Sequence, residues 1–116
     1  KRFIKIGGEM IALPQIEEAL LSSFANREDA PPEGPILAVE ATPEEYGSEI
    51  VLFTPMMLSA REANAALRAS GLSAIYSVRR AVRVAAIPLL GSGKTDYRRL
   101  KELLRDTGQD RHAAMP

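Results

Sequence analysis

The chain opens on an alternation of polar and apolar positions, Lys1-Arg2-Phe3-Ile4-Lys5-Ile6. Gly7-Gly8 interrupts it, and Glu9-Met10-Ile11-Ala12-Leu13 follows. Two short alternating runs around a glycine pair predict a β-hairpin. Pro14 fits the first position of a helix. Ile16, Ala19 and Leu20 mark its buried face at helical spacing, with Glu17 and Glu18 outside. Asn26 to Pro35 holds three prolines, three acids and a glycine, which predicts a loop. The apolar runs 36–39 and 50–53 have strand length, and the turn Thr42–Ser48 between them makes them adjacent antiparallel strands. Ser59, with Glu62 three residues on, is a capping box. The helix it starts has Ala63, Ala66 and Leu67 inside and ends at Gly71. Residues 81–85 predict a further strand. A last helix starts at Thr95 or Asp96, with Thr95 as the expected cap and Tyr97, Leu100, Leu103 and Leu104 as its core stripe. The order β-β-α-β-β-α-β-α gives a small α+β domain: an N-terminal hairpin, an antiparallel or mixed sheet of about three further strands, and three helices.

At 116 residues, one domain is the expectation. Hydrophobic residues make up 46% and charged residues 26%, which is enough to bury a modest core. With no cysteine, disulfides and thiolate metal sites are excluded, and no metal ligands are expected. The single histidine, His112, sits in a polar tail and reads as solvated; residues 106–116 are expected to fray. No apolar run spans a bilayer and no signal peptide is visible, which leads to an expected cytoplasmic location. Because the chain opens directly in ordered structure, a fragment of something longer is expected.

Net charge is zero but divided. Residues 1–58 carry 4 basic and 10 acidic residues, and residues 59–116 carry 11 basic and 5 acidic. A basic half can dock an acidic partner or be merely solvated. Nucleic acid is disfavoured, since three Phe, three Tyr and no Trp offer little base stacking.

Chemistry concentrates in Ile87-Pro88-Leu89-Leu90-Gly91-Ser92-Gly93-Lys94-Thr95-Asp96. Glycines at 91 and 93 permit positive φ and close approach to a ligand, and Lys94 is a mobile positive charge. A phosphate loop is excluded, because the position five before Gly93 is proline and no βαβ unit opens there. From the residues alone, Lys94 is either a solvated turn lysine or the contact for an anion.

The two ends of the chain carry a resemblance. Lys1-Arg2-Phe3-Ile4-Lys5-Ile6-Gly7-Gly8-Glu9-Met10-Ile11, followed by Ile16-Glu17, resembles the hinge and loop of the C-terminal domain of the adenylate-forming (AMP-binding) superfamily. This superfamily comprises acyl- and aryl-CoA synthetases, nonribosomal peptide synthetase adenylation domains and luciferases. The segment 87–96 resembles that family's last motif, with its lysine before a short helix. The resemblance spans residues 1 to about 105. Gly8-Glu9-Met10 and Pro88-Leu89-Leu90-Gly91-Ser92-Gly93-Lys94 look most like the bifunctional acyl-acyl-carrier-protein synthetase / 2-acylglycerophosphoethanolamine acyltransferase group.

The resemblance implies a mobile C-terminal lid, cut at its hinge and inactive without its own N-terminal adenylation domain. It implies a fatty acid and ATP as substrates, with Mg2+ held mainly by that other domain, and acyl carrier protein or CoA as acceptor. Transfer onward to a lysophospholipid is a further implication. Lys94 then takes the catalytic role in adenylate formation, supported by Gly91, Ser92 and Gly93. Lys1 falls on the hinge, and Gly7, Gly8 and Glu9 on the loop serving thioester formation. Arg79, Arg80, Arg83, Arg98 and Arg99, with Lys101, are candidates for docking an acidic carrier protein. The same domain from an acyl-CoA synthetase of other specificity, or a stand-alone anion-binding α+β module, remain as alternatives.

Overall fold

The computed structural model describes residues 2–43 and 47–114, with side chains through Asp106. Lys1, the middle of the turn Thr42–Ser48 and the side chain of His112 therefore lie outside the described residues. The elements are β1 (Phe3–Ile6), β2 (Glu9–Ala12), α1 (Leu13–Phe24), β3 (Ala38–Ala41), β4 (Ile50–Thr54), α2 (Ala60–Ala69), β5 (Arg80–Arg83) and α3 (Tyr97–Ala114). This is the expected α+β order.

β1 and β2 pair antiparallel as a separate two-stranded sheet, with Ile6 opposite Glu9. The second sheet is mixed, in the order β3-β4-β5. β4 runs antiparallel to β3 and parallel to β5, which it reaches through α2. Because successive strand residues face opposite sides, this sheet divides the core. Val39, Ala41, Ile50 and Leu52 pack with Ile11, Leu13, Ile16, Leu20, Ala63 and Leu67 beneath α1, α2 and the hairpin. Ala38, Val51 and Phe53 pack with Ile87, Leu100 and Leu104 beneath α3. β4 is buried along its whole length, as its uninterrupted Ile50-Val51-Leu52-Phe53 run requires.

Local signals explain most boundaries. Ser59 Oγ accepts the Glu62 N–H at 3.0 Å, and the Glu62 carboxylate accepts the Ser59 N–H at 3.0 Å, forming the capping box. At the other end of α2, Gly71 has φ +92°, the Gly71 N–H donates to Arg68 O, and the Leu72 N–H donates to Leu67 O. That is a Schellman cap, which needs a residue without a Cβ at the left-handed position. The loop after α1 is pinned to the start of α2. The Met57 N–H donates to the Asp29 carboxylate at 2.8 Å, and Arg27 spans Asp29 and Met57 O.

Other boundaries moved. β3 begins at Ala38 rather than Ile36 and extends to Ala41, because pairing with β4 sets its register: Ala38 lies opposite Phe53 and Ala41 opposite Ile50. Glu40 is thereby drawn into the sheet and buried. β5 is Arg80–Arg83 rather than 81–85 for the same reason, Arg80 pairing with Val51. Asp96, not Thr95, caps α3, its Oδ1 accepting the Arg99 N–H at 3.1 Å. The α3 backbone runs from Tyr97 to Ala114.

Candidate functional site

The segment around Lys94 is a miniature hairpin. Leu89 and Thr95 form an antiparallel bridge, the Leu90 N–H donates to Lys94 O at 2.8 Å, and the Gly93 N–H donates to Leu90 O at 2.9 Å. This three-residue loop, closed by a left-handed residue, is the type I turn with a glycine bulge. Gly93 supplies that residue, with φ +92°. Gly91 does not. It has no positive φ, and a Cβ there meets nothing within 4 Å. Of the two positions where glycine permits positive φ, the hairpin geometry uses it only at 93. Gly93→Ala is expected to cost about 1–2 kcal/mol, whereas Gly91→Ala leaves stability within about 0.5 kcal/mol. Denaturant midpoints of the two variants check this.

The hairpin ends on the Asp96 N–H donating to Pro88 O at 2.8 Å, and α3 starts at the next residue. Lys94 is exposed and enters no salt bridge among the described residues. The Ser92 hydroxyl accepts only a long contact from the Lys94 N–H, 3.5 Å. Leu89 and Leu90 beside it are 46% and 48% exposed. The loop therefore presents a solvated cation beside two exposed apolar side chains.

Gly7, Gly8 and Glu9 sit on the other hairpin. The two glycines form a two-residue loop with φ +57° and +85°, as a type I′ turn demands. Glu9 is exposed. Phe3 and Met10, on the outer face of this hairpin, are 58% and 60% exposed. Four of the six large hydrophobic side chains exposed among the described residues thus lie on the two segments singled out by the sequence, both of them hairpins in the structure.

The arginines are less uniform. Arg79 lies 3.6 Å from the Glu49 carboxylate, Arg83 donates to Pro55 O, and Arg99 pairs with Glu102 at 3.0 Å. Arg80 is half-buried and also engaged. Arg98 is exposed. Arg79, Arg80 and Arg83 belong to β5 and its approach, Arg98 and Arg99 to the first turn of α3.

One constellation is absent from the sequence reading. Glu17, expected outside, has a side chain only 12% exposed and accepts from three elements. Arg2 approaches it in bidentate fashion, 3.3 Å to each oxygen. The Val39 N–H donates to Oε2 at 2.9 Å, and the Tyr97 hydroxyl donates from 2.8 Å. Arg2 also donates to Val39 O and stacks 3.7 Å over the Tyr97 ring. Glu17 and Arg2 together satisfy the N–H and C=O of Val39 on edge strand β3. All four lone-pair positions of the carboxylate are used. Burial first, then the bond to Glu17, pushes the Tyr97 phenol up to about 12, so it remains a donor at neutral pH. The only sequence signal was the helix position of Glu17, on the flank of the Leu13–Ile16–Leu20 stripe rather than opposite it.

Beside this cluster is a cavity of about 440 Å³ lined by Arg2, Glu40, Ser48, Tyr97, Lys101 and Arg105, among others. Glu40 is 3% exposed and its Oε1 accepts only the adjacent Ala41 N–H. A buried carboxylate in the wall opposes an anionic occupant, and Lys94 is not part of it. Among the described residues, no three His, Asp or Glu side chains converge as a metal site. Mg2+ therefore has no fitting ligand set among them.

No family model matches the chain. Among solved structures, it is similar to ATP-bound MatB from Rhodopseudomonas palustris, at 18% identity and TM-score 0.66 over 92% of this chain and 20% of that one. A fatty acyl CoA synthetase from Mycobacterium tuberculosis matches at 20% identity and TM-score 0.69, over 91% of this chain and 20% of that one. The anthranilate CoA ligase AuaEII, in complex with anthranoyl-AMP, matches at 17% identity and TM-score 0.65, over 93% and 20%. The fold is shared. The chain spans about a fifth of each of these proteins. No helix among the described residues is long and apolar enough to cross a membrane.

Proposed function

We propose that this chain is the mobile C-terminal domain of an ATP-dependent acyl-activating ligase, and that Lys94 is its adenylation lysine. The observation that carries the reading is the Lys94 hairpin: a well-defined turn presenting an exposed cation flanked by two exposed leucines. Support also comes from the fold shared with proteins whose structures hold ATP or an acyl-adenylate.

In the first half-reaction a carboxylate oxygen attacks the α-phosphorus of ATP, the bond to the β-phosphate breaks, and pyrophosphate leaves. Two anions must approach, and negative charge builds on the α-phosphoryl oxygens. A protonated Lys94 placed against both lowers their repulsion and follows the developing charge without giving up its proton. In the second half-reaction a thiol displaces AMP from the acyl group. Gly7 and Gly8 leave the tip of the N-terminal hairpin without side chains, which suits passage of a narrow pantetheine arm. Rotation about Lys1 exchanges the two hairpins at one active site, a hinge-type gate. Their exposed Phe3, Met10, Leu89 and Leu90 are the surfaces that would be covered in turn.

The fine reading is a fatty acyl substrate with an acyl carrier protein as acceptor, followed by transfer to a lysophospholipid. An acyl-CoA synthetase is the second reading, favoured by the CoA ligases that share the fold. The arginines separate them. If Arg79 and Arg80 meet an acidic carrier protein, reversing both to glutamate weakens transfer to the carrier about tenfold or more while leaving adenylate formation within about twofold. Equal loss in both steps removes the docking role. The whole reading is tested by acyl-dependent pyrophosphate release from the full-length protein and from Lys94→Ala. Wild-type protein that releases none with any carboxylate overturns it, and saturable ligand binding by the isolated chain would then point to a stand-alone module.

A further inference from the structure

We infer that the Arg2–Glu17–Tyr97 cluster is a clasp that makes the segment leading into β1 and the Lys94 hairpin one rigid unit, with Tyr97 as a positioning residue for Lys94. The mechanical part stands on the geometry; its catalytic consequence rests on the lid reading above.

Lys94 reaches the body of the domain through a short route. Its carbonyl is held by the Leu90 N–H, the Asp96 N–H is held by Pro88 O, and Asp96 caps the first turn of α3 through Arg99. Tyr97 is the first residue of that turn. Further along α3, Leu100, Leu103 and Leu104 pack on the sheet. The apolar driving force behind that packing is non-directional. Tyr97 adds a directional restraint at the end nearest Lys94. Its hydroxyl donates to Glu17 on α1, and its ring lies under the Arg2 guanidinium. The bond to Glu17 is charge-assisted and about twice as strong as a neutral one.

Arg2 is the opposite end of the same cluster. Its guanidinium is held by Glu17 and Val39 O, and its carbonyl accepts the Leu13 N–H at 2.8 Å. It adjoins the position that the lid reading assigns to the hinge. A rotation applied there reaches Lys94 undiminished only if β1 does not peel from the domain. Since a displacement near 1 Å can cost about 100-fold in rate, a loose connection would deliver the lysine without the required aim.

The test uses the full-length protein with Tyr97→Phe, which keeps the ring under Arg2 and deletes only the hydroxyl, and Glu17→Gln, which keeps the shape and removes the charge. Hydrogen exchange is followed by mass spectrometry. We expect exchange of residues 88–96 to accelerate about tenfold in both variants, with residues 60–69 in α2 unchanged. Unchanged exchange at 88–96, or equal acceleration in α2, overturns the clasp, the first because nothing is transmitted and the second because the loss is global. In the half-reactions, Tyr97→Phe is expected to lower the adenylation kcat about tenfold at unchanged KM for ATP. Transfer from preformed acyl-adenylate should stay within about twofold. Equal loss in both steps, or no loss, overturns the positioning role. If Lys94→Ala leaves adenylation intact, the lid reading fails by itself, and the exchange data still decide the clasp.

Discussion

Lys94→Ala in the full-length protein is expected to slow adenylate formation by about three decades while leaving acyl transfer from preformed adenylate near its original rate. A unit charge about 4 Å from the reacting phosphoryl oxygens, at an effective dielectric near 20, contributes roughly 4 kcal/mol. That corresponds to about a thousandfold in rate. The loss should fall on kcat as well as kcat/KM, because the interaction strengthens as charge develops. Unfolding should be unaffected within about 0.5 kcal/mol, since the side chain is exposed and makes no salt bridge among the described residues. The two steps are measured separately, as pyrophosphate release and as thioester formation from synthetic acyl-adenylate. Collapse of the first with survival of the second is the signature of a lysine used in one conformation only. Near-native rates in both would make Lys94 a solvated turn residue and withdraw the main support for the lid reading.

The largest effect on stability is expected at Glu17. A glutamate on the outside of a helix can be replaced by alanine at a cost within about 0.5 kcal/mol, and the helical pattern alone puts Glu17 there. In the structure its carboxylate serves Arg2, Tyr97 and the Val39 amide at once. Glu17→Ala strands a guanidinium whose side chain is 22% exposed, a half-buried phenol and an edge-strand N–H. We expect a loss of about 3 kcal/mol, the lower end of the range for breaking a buried pair because Arg2 retains some access to water. For a domain of this size that is a fall of roughly 10–20 °C in midpoint. Glu18→Ala, at the exposed neighbouring position, is the control and should unfold like the wild type. Equal behaviour of the two variants would return Glu17 to the solvent.

The contrast between Glu17 and Ser59 shows where sequence reasoning reached its limit. The Ser59–Glu62 box, the glycine cap after α2 and the Gly7-Gly8 turn are all settled within a few residues, by φ preference and by orphaned backbone donors. Each was readable in advance. The Lys94 hairpin was located by its glycines and proline, but which glycine is needed emerged only from the backbone bonds that close it on Gly93. Strand edges moved by up to two residues, because β4 and its partners set the register. Glu40 was taken into the sheet by that register and not by any preference of its own.

By itself, then, the sequence determined the order and type of the described elements, the N-terminal glycine hairpin, and the glycine loop near the other end with its one lysine. These follow from periodicity and from local backbone energetics, which act over a turn or two of chain. Only the tertiary structure decided that Arg2, Glu17 and Tyr97 meet, across separations of 15 and 80 residues. Their meeting depends on α1 and α3 packing on opposite faces of one sheet while both reach its β3 edge. No local preference encodes that convergence, because the energy that drives it is burial of Leu20 on one face and Leu100 on the other.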